Sequence, residues 1–241
     1  MKIMKIITKS GLALISLLAA SWASSAVVSA TGNIAQITAP TSIAGNDFES
    51  ASTISLFNER QGVSLTQDLS VDELASPGAE GVISSGTSIN SYFLHYNPIG
   101  EGKTVMDVVA TLTGTLTFDT QILALIWTGE ACEWCPVTAK NLDSSDYLGA
   151  VGTQYSSNEL GRGYEIGDHY SANGLQDIVT ISPDGFSLSM VSNSTIPFYS
   201  DQLRIITAVS PGQVTEVPVP AAAWLFISAL MSLSAIRRRA R

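Results

Sequence analysis

Fifteen residues in the middle of the chain, Val105 to Asp119, alternate with period two. Met106, Val108, Ala110, Leu112, Leu116 and Phe118 fall on one side. Asp107, Thr111, Thr113, Thr115, Thr117 and Asp119 fall on the other. A helix would scatter these residues around its axis, whereas an extended strand sends successive side chains to opposite faces. The stretch is therefore expected to form a half-buried β ribbon, with Gly114 marking a bend or bulge. Ile122 to Trp127 follows as an unbroken apolar run, as expected of a strand covered on both faces.

The neighbouring text agrees with this choice. Ile54 and Leu56 alternate with Ser55, and Val63 and Leu65 with Ser64 and Thr66. Pro77-Gly78 marks a turn, and Ile89 to Tyr96 reads as a strand rich in aromatics. Three strands are expected near the end, Asp177–Ser182, Phe186–Val191 and Gln202–Val209, the first two joined by a Pro183-Asp184-Gly185 hairpin. Asp143 or Ser144 is placed to cap a short turn running to Leu148. Neither heptads nor βαβ spacing is present. The expected fold class is all-β, a two-sheet antiparallel sandwich of jelly-roll type. An N-terminal signal-peptide helix and a C-terminal hydrophobic helix are expected to flank it. The expected organisation is a leader over 1–30, a flexible lead-in over 31–51 with packing from Phe48, a β domain over 52–210, a linker over 211–216 and a tail over 217–241.

Both ends read as address labels. Lys2, Lys5 and Lys9 precede a short apolar core, Gly11 to Ala20. Val28-Ser29-Ala30 then offers small residues for leader cleavage, with Ser24-Ser25-Ala26 as a competing site, and Thr31 is expected as the first mature residue. At the other end, Pro218 and Pro220 stop any helix from upstream, while Pro220 suits the first turn of the next one. Ala221 to Ile236 carries no charge, and sixteen residues reach about 24 Å at about 1.5 Å each. That is short for a bilayer core of about 30 Å, so brief retention in the membrane and later release are expected. Arg237, Arg238, Arg239 and Arg241 should stay on the cytoplasmic side.

Val217-Pro218-Val219-Pro220-Ala221-Ala222, with Trp224-Leu225-Phe226, Ser228-Ala229-Leu230 and the arginine block, resembles a PEP-CTERM sorting domain. The middle residue of its Pro-Glu-Pro core is Val219 here. The resemblance implies an exosortase as partner, cutting near Pro218–Pro220 and passing the protein from the inner membrane toward the surface of a Gram-negative, exopolysaccharide-producing cell. Scattered segments of the middle also look like the body of PEP-CTERM surface proteins of unassigned function. They are Phe57-Asn58-Glu59 with Gln61; Gly86-Thr87-Ser88-Ile89 and Ser91 to His95; Thr117-Phe118-Asp119 with Ile122-Leu123; Leu142 with Ser145-Asp146 and Leu148-Gly149; Arg162-Gly163-Tyr164-Glu165; and Asp201 to Thr207. The resemblance implies a β fold and a surface role and adds no chemistry; Cys132 and Cys135 sit in what looks like an insertion relative to it.

Charge narrows the partners. Of 12 basic residues, three lie in the leader and four in the tail, leaving Arg60, Lys103, Lys140, Arg162 and Arg204 against 21 acids, a formal −16. Such a field repels nucleic acid and anionic lipid, suits a soluble exported protein, and could draw divalent cations. Asp143, Asp146, Glu165 and Asp168, in turn-rich text, are the candidate calcium ligands, although no Asp-x-Asp-x-Asp-Gly loop is present.

Cys132-x-x-Cys135 is expected to form a local disulfide, the redox alternative lacking a βαβ context; two cysteines are too few for zinc, and His95 and His169 lie far off. Asp119, Glu165 and Asp168 are the carboxylates a polysaccharide hydrolase would draw on, and no Gly-x-Ser-x-Gly elbow or phosphate loop occurs. Tyr147, Tyr155, Tyr164 and Tyr170 would stack on sugars in a lectin-like module, or else cover the core. His95 is expected to be a satisfied, half-buried imidazole. Arg162 and Arg204 are expected to be structural, Arg204 pairing with Asp201 or with an acid on a neighbouring strand. No catalytic residue and no cofactor is assigned; exopolysaccharide is a candidate partner.

Overall fold

The computed structural model describes residues 27–44, 47–76, 78–98, 108–129, 141–155, 162–164, 166, 176–195 and 200–210. Its strands are β1 (Val27–Gly32), β2 (Ile34–Gln36), β3 (Ile54–Asn58), β4 (Val63–Ser64), β5 (Leu69–Val71), β6 (Glu73–Leu74) and β7 (Gly81–Ile83). They continue with β8 (Ser88–Tyr96), β9 (Val108–Phe118), β10 (Ile122–Ile126), β11 (Ile178–Ile181), β12 (Ser187–Thr195) and β13 (Asp201–Ala208). One helical turn, α1 (Asn141–Ser144), leads into a 3₁₀ turn at Asp146–Leu148.

The alternation of residues 111–118 does make a strand. Leu112, Leu116 and Phe118 are buried and Thr111 and Thr113 exposed, because β9 lies inside a four-stranded sheet ordered β1-β9-β12-β11 with one face on the core. A second sheet is ordered β2-β3-β8-β13-β10-β6, with β4 also on β8. The Pro183-Asp184-Gly185 turn joins β11 to β12 as a hairpin, Gly185 N–H donating to Ser182 O at 2.8 Å. The two sheets face each other across one core. Leu112, Leu116, Phe118, Leu188 and Met190 come from the first, and Ile54, Leu56, Tyr92, Leu94, Leu125, Leu203 and Ile205 from the second.

The second sheet is covered on its other face as well. Phe57, Ile89, Phe93, Ala124, Ile126 and Ile206 pack there against Ile43, Leu65, Leu69, Val71, Leu142 and Leu148. This third layer was not expected from a two-sheet reading. It explains why β8 and β13 are buried almost without alternation. The run at Ile122–Trp127 serves both cores: Ile122, Leu125 and Trp127 face one, Ala124 and Ile126 the other. The register shifts between Ile122 and Ala124, which lets Ile122 and Leu125 share a face despite their spacing.

Two sequence expectations change here. Residues 31–51 are not a loose lead-in. The chain turns at Asn33, whose N–H donates to Thr113 O at 2.7 Å and whose Oδ1 accepts from Thr113 N–H at 3.0 Å. That corner carries it from the first sheet into the second, where β2 runs parallel to β3. Ile34 and Ile43 are buried, whereas Phe48 is 42% exposed. Strand β1 also begins at Val27, inside the span read as leader.

Gly114 is the other. The β12 ladder runs through it unbroken, opposite Met190, and the β1 ladder ends on it, opposite Gly32. The glycine is needed for space, since a Cβ there would sit 2.5 Å from the Ile34 side chain and 2.8 Å from Thr31 O. Gly114→Ala is expected to cost about 1–3 kcal/mol by overpacking. Thermal melting checks this, and Gly114→Ala combined with Ile34→Ala should lose less than the sum of the two single losses.

Candidate functional site

Among the described residues, the largest gathering of charge lies inside the second core. Arg204 of β13 is completely buried, on the same face as Ile206. Its Nε donates to Glu59 Oε2 at 2.7 Å and its Nη2 to Glu59 Oε1 at 2.8 Å, a two-pronged pair. Nη2 also donates to Asp146 Oδ1 at 3.1 Å. Nη1 donates to Leu142 O at 3.1 Å and to Ser145 Oγ. All five guanidinium hydrogens are thereby used. Ser91 Oγ donates to Glu59, and the Phe93 ring lies 5.1 Å beneath the guanidinium carbon. Burial works against the Arg204 charge, but Glu59, with Asp146 behind it, more than offsets this and raises its pKa.

Arg162 extends the cluster. Its Nη1 donates to Asp143 at 2.5 Å and to Asp146 at 2.7 Å, its Nη2 to Asp146 at 2.8 Å, and its Nε to Gln202 Oε1 at 2.7 Å. Gly163 holds this segment against the sheet. It adopts φ 123°, and a Cβ there would meet Trp127 O at 2.1 Å. Asp146 is the bridge, since its Oδ1 accepts from both arginines.

Gln202 carries the network on to His95. With its carbonyl held by Arg162, its amide donates to His95 Nδ1 at 3.2 Å, which leaves the imidazole proton on Nε2. His95 is fully buried rather than half-buried. Burial first, and then the nearby Arg162 charge, push its pKa down to about 4, against an opposing pull from the backbone of Asp47 and Phe48. The ring is neutral at physiological pH.

A second buried carboxylate, Asp72, sits at the edge of β10. Its Oδ2 accepts from the backbone N–H groups of Trp127 and Thr128 at 2.6 and 2.8 Å. Its Oδ1 accepts from Thr128 Oγ1 at 2.7 Å and Asn141 Nδ2 at 2.6 Å. Leu142 N–H reaches Thr128 O at 2.8 Å. The chain therefore leaves the sheet at Thr128 and returns beside it at Asn141. Residues 130–140, which hold Cys132 and Cys135, fall between those two points and lie outside the described residues.

The sequence candidates distribute as follows. Asp143 and Asp146, read as calcium ligands, both accept from Arg162; Glu165 and Asp168 lie outside the described residues. Arg204 pairs with Glu59 and Asp146, whereas Asp201 accepts from Ser192. Of the tyrosines offered to sugars, Tyr147 is 40% exposed, Tyr164 belongs to the main core, and Tyr155 packs edge-on against Phe93. Tyr170 lies outside the described residues, as do His169, Cys132, Cys135 and the tail from Val217 to Arg241. Asp119 is exposed and accepts from Ser210 Oγ at 3.3 Å.

Among the described residues there is also an open groove of about 580 Å³ between β6, β7, β10 and the turn at Pro183. Glu73 lines it with a pKa raised by partial burial. Asp184 lines it too, its pKa held low by the Ser182 hydroxyl and the Phe186 N–H.

Sequence reasoning missed Glu59 and Asp72 as anchors. Glu59, Ser91, His95, Leu142, Ser145, Asp146, Arg162, Gln202 and Arg204 come from segments scattered along the chain, with 145 residues separating Glu59 from Arg204, and no local pattern links them. Nor does a local pattern single out Asp72. No family model matches this chain, and neither does a curated protein or a solved structure.

Proposed function

We propose that the chain is an exported surface or matrix protein without enzymatic activity, whose body is a jelly-roll-like sandwich and whose ends are removable. In this reading a leader takes it out of the cytoplasm, Ala221–Ile236 holds it briefly in the inner membrane, and an exosortase cuts near Pro218–Pro220. The observation that carries the reading is the order of the tail: Pro-Val-Pro, sixteen uncharged residues, then four arginines, all placed after the last strand, β13. The body fits a passive role, because both arginines of its charge cluster are turned inward to hold layers together.

The test is replacement of Pro218 and Pro220 by Ala. A processing enzyme reads extended backbone, and proline keeps a segment out of a helix. Without the prolines, helix can propagate through the cutting site. The variant is expected to accumulate uncut in the inner membrane, with loss of the surface form. Fractionation and immunoblotting read the result, and a variant found at the surface at normal size sinks the proposal.

A further inference from the structure

Among the described residues, the two large sheets end on β1, β11, β2 and β6. Bulges, short lengths, charges and prolines are the usual means by which a sheet edge avoids pairing with another chain. Strand β1 has a register shift between Val27 and Ser29. Strand β2 is three residues long and β6 is two, and Leu74 of β6 already donates its N–H to Ala79 O at 2.8 Å. Strand β11 has none of these devices. Ile178 to Ile181 pair in unbroken register with Val191 to Leu188, and the strand holds neither a charge nor a proline. Ile178 is 55% exposed.

The hydrogen bonds at its two ends show which backbone groups face outward. Ser182 N–H donates to Ser187 O at 2.8 Å, and Asn193 N–H donates to Asp177 Oδ1 at 2.7 Å. Backbone direction alternates along an antiparallel ladder, so Ile178 and Thr180 turn their N–H and C=O groups toward β12. Val179 and Ile181 turn theirs the other way, to the sheet edge, and no described residue takes them up. We propose that this edge docks β11 of a second copy of the chain, the two strands running antiparallel about Thr180. Val179 then faces Ile181 of the second copy, and every outward N–H and C=O of both strands is used. A register slipped to set Val179 opposite Pro183 loses a donor, because proline has no N–H. In the favoured register Asp177 faces Pro183 and Asp184 faces Gln176 of the second copy. No like charges meet, although the body carries a formal −16. Exposed Ile178 falls beside Ser182 and Thr180 of the second copy, and the two four-stranded sheets become one.

An edge this short makes a weak interface, and both copies carry the same negative field. The dimer is therefore expected at high protein concentration and should strengthen as salt screens that field. Thr180→Cys in the full chain tests the register. Residues opposed outside the hydrogen-bonded pairs stand about 4.5 Å apart at Cα, within disulfide reach. Mild oxidation is expected to give a covalent dimer on a non-reducing gel, beyond any formed by the parent. Ser189→Cys, exposed on the neighbouring strand β12, is expected to match the parent. No added dimer from Thr180→Cys, or an equal yield from Ser189→Cys, overturns the pairing. Thr180→Glu sets two carboxylates against each other at the axis and should weaken association by about tenfold or more in sedimentation, with an unchanged melting temperature. Mixing it with Thr180→Lys should restore the dimer. Undiminished association of Thr180→Glu, or a mixture that stays monomeric, overturns the pairing as well. The edge belongs to the body alone, so either result leaves the sorting of the tail standing.

Discussion

Glu59→Ala is expected to lower folding stability by about 3–5 kcal/mol, the usual cost of stranding one partner of a buried ion pair. For a chain of this size that is roughly 6–20 °C in melting temperature, at about 2–4 °C per kcal/mol. The variant leaves the Arg204 guanidinium fully buried, facing a void where two hydrogen bonds had been. Asp146 cannot take over, because it already serves Arg162 through both oxygens and already accepts from Arg204 Nη2 at 3.1 Å. Ser91 also loses its acceptor. Glu59→Gln keeps the shape and one acceptor oxygen but turns its NH₂ toward an Arg204 N–H, so its loss should be only somewhat smaller. Denaturant unfolding of the two variants beside the parent checks the order. Equal stability of Glu59→Ala and the parent would mean that the pair does not hold the third layer in place.

Asp72→Ala should be comparable, at roughly 3–5 kcal/mol. Four donors lose their acceptor at once, and each buried orphan costs about 1–3 kcal/mol, moderated where water can enter. Asp72→Asn is expected to cost clearly less. Its carbonyl can keep the two backbone N–H groups at the Oδ2 position, while its NH₂ meets the Thr128 hydroxyl and the Asn141 amide, both of which can turn to accept. The loss should be felt first at the seam between Thr128 and Asn141. Hydrogen exchange of the Trp127, Thr128 and Leu142 amides is the direct measurement. Protection that is unchanged in Asp72→Ala would show that the seam is held by other contacts.

Local pattern carried the β reading well. The Thr/apolar alternation of 111–118, the continuous run at 122–127 and the Pro183-Asp184-Gly185 hairpin each encode their geometry within a few residues, and each forms as expected. The failures share another character. Residues 31–51 are poor in charge and rich in small residues, so they read as slack. Their structure depends on Asn33 finding Thr113 and on Ile43 finding the second core. Gly114 reads as a bend from the strand alone, but its role is to admit Ile34, which reaches it from β2 in the other sheet. Asp143 and Asp146, read as calcium ligands, accept from the guanidinium groups of Arg162 and Arg204, while Glu165 and Asp168 lie outside the described residues.

From residues alone it follows that the body is β and carries net negative charge, because strand periodicity and formal charge are local or additive properties. Which face of a strand meets water is not local. It took the folded chain to reveal that the seven-stranded sheet has a second covered face, that Glu59 and Arg204 meet inside it, and that residues 27–32 form an edge of the four-stranded sheet. Those facts arise from contacts between distant segments, where the desolvation of one charge is repaid only by a partner far away in the chain.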